Sequence, residues 1–272
     1  MDNQRYSQLV LGLCLFGLVV TSQAVERSDI GLSGTEGLSL TVGLEYESGD
    51  YGTPYTTDVW RVPVGIDYVQ GRLSAGVSTA YLNAKSTGTV TVSSSGSRMN
   101  RIATTSSTTV SSASGLGDVD MYASYRLPSA NETEISYHVT GRIKLGTADK
   151  DKGLGTGEND YALEAGLITK FAELYLYGNL GYQIVGDSAT VNYDNVWYAN
   201  AGATYPLANQ RSVGAMLEMS QAATPGFAAP VQATLFYNVG LAQQRELYFY
   251  VLLGLSNGSP DSGVGVNLTI KL

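Results

Sequence analysis

Three groups of residues in this 272-residue chain are of types that can do chemistry. The first is His138, the only histidine. A Ser–His hydrolase needs a nucleophile held by that imidazole, and the many serines offer no spacing that singles one out. A metal site needs a second His or Cys beside it, and the one cysteine, Cys14, sits far off near the N-terminus. His138 therefore reads as a polar residue in a wet interior. No cofactor and no metal are expected, and a lipid hydrolase is kept only as an alternative. The second group is Gly153-Leu154-Gly155-Thr156-Gly157, which has the look of a phosphate loop. It lacks the Gly-Lys-Ser/Thr ending and runs into a strand pattern instead of a helix, so it reads as an irregular outer loop.

The third group is spread along the chain. It comprises the charged residues Glu45, Arg61, Asp67, Asp118, Asp120, Arg142, Lys144, Glu164 and Glu218, and the aromatics Tyr122, Tyr177, Phe236 and Tyr250. What joins these residues to His138 is parity: each occupies the polar phase of a segment that alternates with period 2. Such alternation means strands with two unlike faces. Leu38, Leu40, Val42, Leu44 and Tyr46 share one face of the first strand, opposite Ser39, Thr41, Gly43, Glu45 and Glu47. The last strand sets Val264, Val266, Leu268, Ile270 and Leu272 against Gly265, Asn267, Thr269 and Lys271.

Twelve such segments follow one another, at about 38–47, 59–69, 72–84, 117–127, 133–146, 159–171, 174–186, 196–206, 212–221, 230–240, 246–256 and 263–272. Most are longer than the usual five or six residues of a soluble strand and match the length a tilted strand needs to cross a bilayer. Connections alternate between long and short, as in a barrel with loops at one end and tight turns at the other. The outward aromatics fall into two bands. Tyr46, Trp60, Tyr81, Tyr161, Tyr182 and Trp197 lie at the loop end, and Tyr68, Tyr125, Tyr137, Phe171, Tyr205, Tyr237 and Phe249 at the turn end. Amphipathic rings sort this way at the two interfaces of a membrane. The predicted fold is all-β: a transmembrane, antiparallel, up-and-down barrel of about twelve strands, with both termini periplasmic. An open sheet in lipid would leave its edge groups unpaired, so closure is required.

The N-terminus fits that location. Leu9–Val20 is a twelve-residue apolar run, too short to span, followed by small residues at Ser22 and Ala24. It reads as a signal peptide over 1–24, cleaved after Ala24. Residues 25–36 then form a short periplasmic segment, and 37–272 a single barrel domain with a long Ser/Thr-rich outer loop at 85–116. The chain needs no disulfide, and its net charge of −8 argues against nucleic acid as a partner. The expected partners are outer-membrane lipid, small solutes and, during biogenesis, the outer-membrane assembly machinery; the expected location is the bacterial outer membrane.

Two stretches carry a family resemblance. They are Gly115-Leu116-Gly117-Asp118-Val119 at a strand start, and Lys144-Leu145-Gly146-Thr147-Ala148-Asp149 leading to Gly153–Gly157 and Asp160-Tyr161. Together they resemble the outer-membrane barrels named for the meta-pathway of phenol degradation. That family has Gly-x-Gly-Asp, a Lys-Leu-Pro-Thr-Gly-Asp-like turn and Gly-x-Gly-Thr-Gly before Asp-Tyr. Gly146 and Ala148 replace its usual Pro and Gly. The resemblance implies a transporter, sometimes associated with aromatic catabolism; fold alone fixes no solute.

The function expected is passive passage of small solutes, aromatic or otherwise poorly charged ones included. A non-conducting structural or adhesive barrel presenting the 85–116 loop is the alternative. The inward acids Glu45, Glu47, Asp67, Asp118, Asp120, Glu134, Asp160, Glu164 and Glu218 outnumber the bases Arg61, Arg126, Arg142, Lys144, Lys170 and Lys271 by three. An open lumen would then disfavour anions.

Overall fold

The computed structural model describes residues 36–86, 90–91, 102–103, 111–128, 135–188, 192–241 and 244–272. The expected signal peptide at 1–24 and Glu134 lie outside them, as does all of the 25–36 segment but Glu36.

Among the described residues there are fifteen strands: β1 (Gly37–Gly49), β2 (Thr57–Gln70), β3 (Leu73–Ser86), β4 (Val90–Thr91), β5 (Ile102–Ala103), β6 (Ser111–Leu116), β7 (Val119–Arg126), β8 (Ile135–Leu145), β9 (Asp160–Phe171), β10 (Leu174–Ile184), β11 (Val196–Leu207), β12 (Arg211–Ser220), β13 (Val231–Leu241), β14 (Arg245–Gly254) and β15 (Ser262–Lys271). Strands β4 and β5 form a separate two-stranded ladder. The other thirteen close into one antiparallel sheet, with β15 pairing back onto β1. Because β6 and β7 both pair with β3, end to end, they make one interrupted stave. The barrel therefore has twelve staves, each coinciding with one of the twelve alternating segments. Among the described residues no helix is long and apolar enough to cross a membrane; the elements of crossing length are strands.

The period-2 pattern dictates the burial. On β2, Thr57, Val59, Arg61, Pro63, Gly65 and Asp67 are buried, while Trp60, Val62, Val64, Ile66 and Tyr68 are exposed. An exposed row of Val, Ile and Leu all round a closed sheet has no stable place in water; lipid is the solvent it fits. The aromatic bands also hold together across strands. Tyr46 pairs with Trp60 at a ring separation of 4.9 Å and Tyr182 with Trp197 at 5.0 Å. At the other end Tyr205, Val213, Tyr237 and Phe249 follow one another across β11 to β14.

Two turns at that second end are tight, Gly71-Arg72 and Ala172-Glu173. Gly71 (φ +60°) and Ala172 (φ +53°) supply the left-handed conformation that two-residue hairpins need.

One boundary differs from the sequence reading. The segment 85–116 was expected to be a long outer loop; within it, Ser111–Leu116 pairs with Tyr81–Ser86 as β6. This part of the wall rises past Tyr81, beyond the apolar band. The outward residues Asn83, Lys85, Ser112 and Ser114 are polar there and the inward Ala84, Ala113 and Gly115 small, so the alternation that betrays a strand in lipid is missing. Most of the remainder, 87–89, 92–101 and 104–110, lies outside the described residues.

Candidate functional site: the barrel interior

The interior has two unlike halves. On β1, β2 and β7 to β9 it is ionic. Arg61 meets Glu47 at 3.4 Å, and Arg142 meets Glu164 at 3.2 Å. Tyr122 donates its hydroxyl to Asp67 at 2.8 Å. Glu45 stands opposite Arg61 in the register, and Asp120 opposite Lys144. His138 is buried and lies across Gly166 beside Asn179. Thr140 donates to Ser124 at 2.8 Å.

Lys144 is the centre of the most ordered part. Its ammonium lies 3.1 Å from Asp160 and 3.4 Å from Asp118, and Thr156 accepts a hydrogen bond from it at 3.3 Å. Asp118 sits in the break between β6 and β7, where it accepts the Ala148 N–H at 2.9 Å. Asp160 accepts Gly186 N–H at 3.0 Å and the Gln183 amide at 3.2 Å. These contacts draw residues 146–159 against the wall. Leu154 (0% exposed) and Ala148 pack on Ala80 and Leu82 of β3.

The segment expected to be an irregular outer loop is thus folded onto the barrel, with Ala148, Leu154 and Thr156 buried. Its glycines serve close approach, not phosphate binding. A Cβ on Gly155 would fall 2.7 Å from Ala148 Cβ and 3.0 Å from Asp118, and Gly157 has φ +77°. The departure at Gly146 has a reason too: its N–H donates to Asn159 Oδ1 at 2.9 Å, a bond proline cannot make. Lys150–Lys152 form a single 3₁₀ turn capped by Asp149, with Gly153 closing it at φ +70°. Asp118, Lys144, Ala148, Leu154, Thr156 and Asp160, which carry part of the family resemblance, therefore meet at one place in the fold.

The other half, on β10 to β14, is aromatic. Phe236, Tyr248, Tyr250 and Leu252 form one cluster, and Tyr177, Ile168 and Met216 another. Four of the inward rings are set opposite a glycine on the next strand: Tyr250 with Gly265, Phe236 with Gly214, Tyr177 with Gly202 and Tyr198 with Gly181. Tyr122 and Gly76 repeat the pairing on β7 and β3. In every case a Cβ on the glycine would collide with the ring. The rings consequently lie down on the wall, which glycine alone permits.

A further ring-and-glycine consequence is testable. The atoms nearest a Cβ at Gly265 all belong to the Tyr250 side chain, so Gly265→Ala should fold with an overpacking cost of about 1–3 kcal/mol and with Tyr250 pushed off the wall. Adding Tyr250→Ala should recover that loss in a guanidinium titration. A double variant no more stable than Gly265→Ala would show that the ring is not held there.

Glu218, which accepts the Gln232 amide at 2.9 Å, also faces inward, and so does Glu246, which the sequence reading passed over together with Tyr198. Both fall on the inward parity of segments already recognised. Described inward carboxylates are Glu45, Glu47, Asp67, Asp118, Asp120, Asp160, Glu164, Glu218 and Glu246, against Arg61, Arg126, Arg142, Lys144, Lys170 and Lys271: nine to six. At the loop end, Tyr51 is buried near Arg61, Asp58 and Asp261; burial pushes its phenol up, which Arg61 partly opposes.

These features define a class: a closed twelve-stave β-barrel with an apolar outer face, two aromatic girdles and a polar, partly aromatic interior. The same architecture recurs in solved structures. An outer-membrane channel from Pseudomonas putida F1 superposes with a TM-score of 0.66 at 15% identity, covering 90% of this chain and 98% of that one. The NanC porin gives 0.52 at 12% identity, covering 86% and 100%. The translocator domain of the autotransporter NalP from Neisseria meningitidis gives 0.52 at 12%, covering 87% and 89%. At these identities the likeness is one of fold. No protein-family model and no curated protein matches the chain.

Proposed function

We propose that this protein is a passive channel of the bacterial outer membrane for small solutes, exported by cleavage after Ala24. The observation that carries this is the interior. Nine inward carboxylates against six cations, with a separate stripe of rings beside them, suit a solute path through the barrel. Fold likeness to an outer-membrane channel and a porin supports the reading. The convergence of Asp118, Lys144 and the 153–157 glycines supports kinship with the phenol meta-pathway barrels. Uncharged solutes, aromatic ones among them, suit the aromatic half. Glu45, Arg61, Asp67, Asp118, Asp120, Tyr122, His138, Arg142, Lys144, Glu164, Tyr177, Glu218, Phe236 and Tyr250 are its lumen-lining residues, with no catalytic role.

The charge balance sets the test. An excess of three carboxylates over cations inside a low-dielectric wall favours cations and neutral molecules over anions. Ion pairing consumes part of the field, so the preference is modest. The reversal potential under a salt gradient near 0.1 M should show cation selectivity. It should shrink near 1 M, as the Debye length falls from about 10 Å to about 3 Å. Clear anion selectivity at low salt would contradict this reading of the interior.

A further inference from the structure

The aromatic half contains more than rings. Tyr248 of β14 is flanked across both neighbouring strands by amides: Asn238 of β13 on one side and Asn267 of β15 on the other. Phe236 stacks on Tyr248 at 5.5 Å and 24°, and Tyr250 follows at 5.9 Å. Asn238 donates to Ser212 at 3.2 Å, but its Oδ1 has no hydrogen-bond partner among the described residues. Neither do both polar atoms of Asn267, nor Thr234 Oγ1. All three side chains are at most 2% exposed. Buried polar groups without partners are costly to form; Asn238 and Asn267 flank the Tyr248 ring, and Thr234 lies two residues from Phe236 on the same strand.

We infer that Phe236, Tyr248 and Tyr250 with Asn238, Asn267 and Thr234 form a solute subsite for an uncharged ring bearing hydroxyl groups. The inference rests on the channel reading and names the solute chemistry within it. Ring faces take the flat face of the solute, whether aromatic or saturated. Asn267 offers one donor and one acceptor and Thr234 a hydroxyl, which match a hydroxyl that both gives and takes a hydrogen bond. A hydrocarbon would cover the rings and leave these amides unpaired. A carboxylate would meet Glu246, two residues from Tyr248 on β14. An ammonium can only donate, and so leaves the Asn267 N–H₂ unanswered.

Four probes test this on the full mature chain folded in detergent and in planar bilayers: phenol, glucose, toluene and benzoate. Titration calorimetry should show saturable binding of a hydroxylated ring, with the phenol and glucose arms telling an aromatic source from a sugar. Toluene and benzoate should bind at least tenfold more weakly. Asn267→Leu and Asn238→Leu should each weaken the hydroxylated ring tenfold or more and leave toluene unchanged. Thr234→Val provides a smaller change should either fail to fold, with a loss of several-fold expected. Toluene or benzoate binding as tightly as the hydroxylated ring, no binding of phenol or glucose, or no effect of the variants would overturn the subsite. Conductance without solute binding would remove the subsite and keep the channel; binding without conductance would do the reverse.

Discussion

Arginine at position 64 should destabilise the folded barrel by about 2–4 kcal/mol. Val64 is exposed on the outer face of β2, four residues from Trp60 and four from Tyr68, and so midway between the two aromatic bands. A guanidinium there must either enter hydrocarbon or drag water and headgroups toward it. Asn83 points the same way on β3 but lies beyond Tyr81. Asn83→Arg should cost about 0–1 kcal/mol, because the penalty falls off at the interface. Reversible denaturant unfolding in lipid vesicles compares the two. Equal costs would mean that the band between the rings is not in lipid, and the strand register against the membrane would be wrong.

Removing the Lys144 ammonium should cost at least as much. Asp118 (0% exposed) and Asp160 (3%) both face it within 3.4 Å. Lys144→Met keeps the stem and removes the charge, stranding two buried carboxylates; breaking buried pairs in this way typically costs about 3–5 kcal/mol. Neutralising the acids in that background, with Asp118→Asn and Asp160→Asn, should recover most of the loss. The Asn side chains still accept the Ala148 and Gly186 N–H groups. The same denaturant titration measures this. A loss below about 1 kcal/mol, or no recovery, would show that Lys144 does not hold residues 146–159 against the wall.

How far the sequence foretold these features depends on which solvent each residue meets. Leu38 to Tyr46 and Val264 to Leu272 were legible because lipid on one side and polar interior on the other force a strict alternation. The aromatic bands were legible for the same reason, each ring being placed by depth. Ser111–Leu116 was not, since above the band its outward residues Ser112 and Ser114 are polar and the alternation is lost. The inward fold of Ala148, Leu154 and Thr156 was hidden because its partners, Ala80, Leu82, Asp118 and Lys144, come from other staves. The glycines at 153–157 signalled a special backbone without saying which surface it approaches. The pairing of Tyr250 with Gly265 and Phe236 with Gly214 needed the register, which shifts from one hairpin to the next. Inward glycines facing inward rings were nevertheless a readable clue, as was the parity that places Tyr198 and Glu246 inside.

The central claim is that this barrel conducts. The measurement that meets it most directly is single-channel recording of the purified, folded protein in a planar bilayer. Insertion should produce discrete current steps of one reproducible size, carried preferentially by cations at low salt. Folded protein that inserts, resists denaturation as a barrel should, and gives no defined step under any applied voltage would contradict the channel and leave a sealed structural barrel in its place.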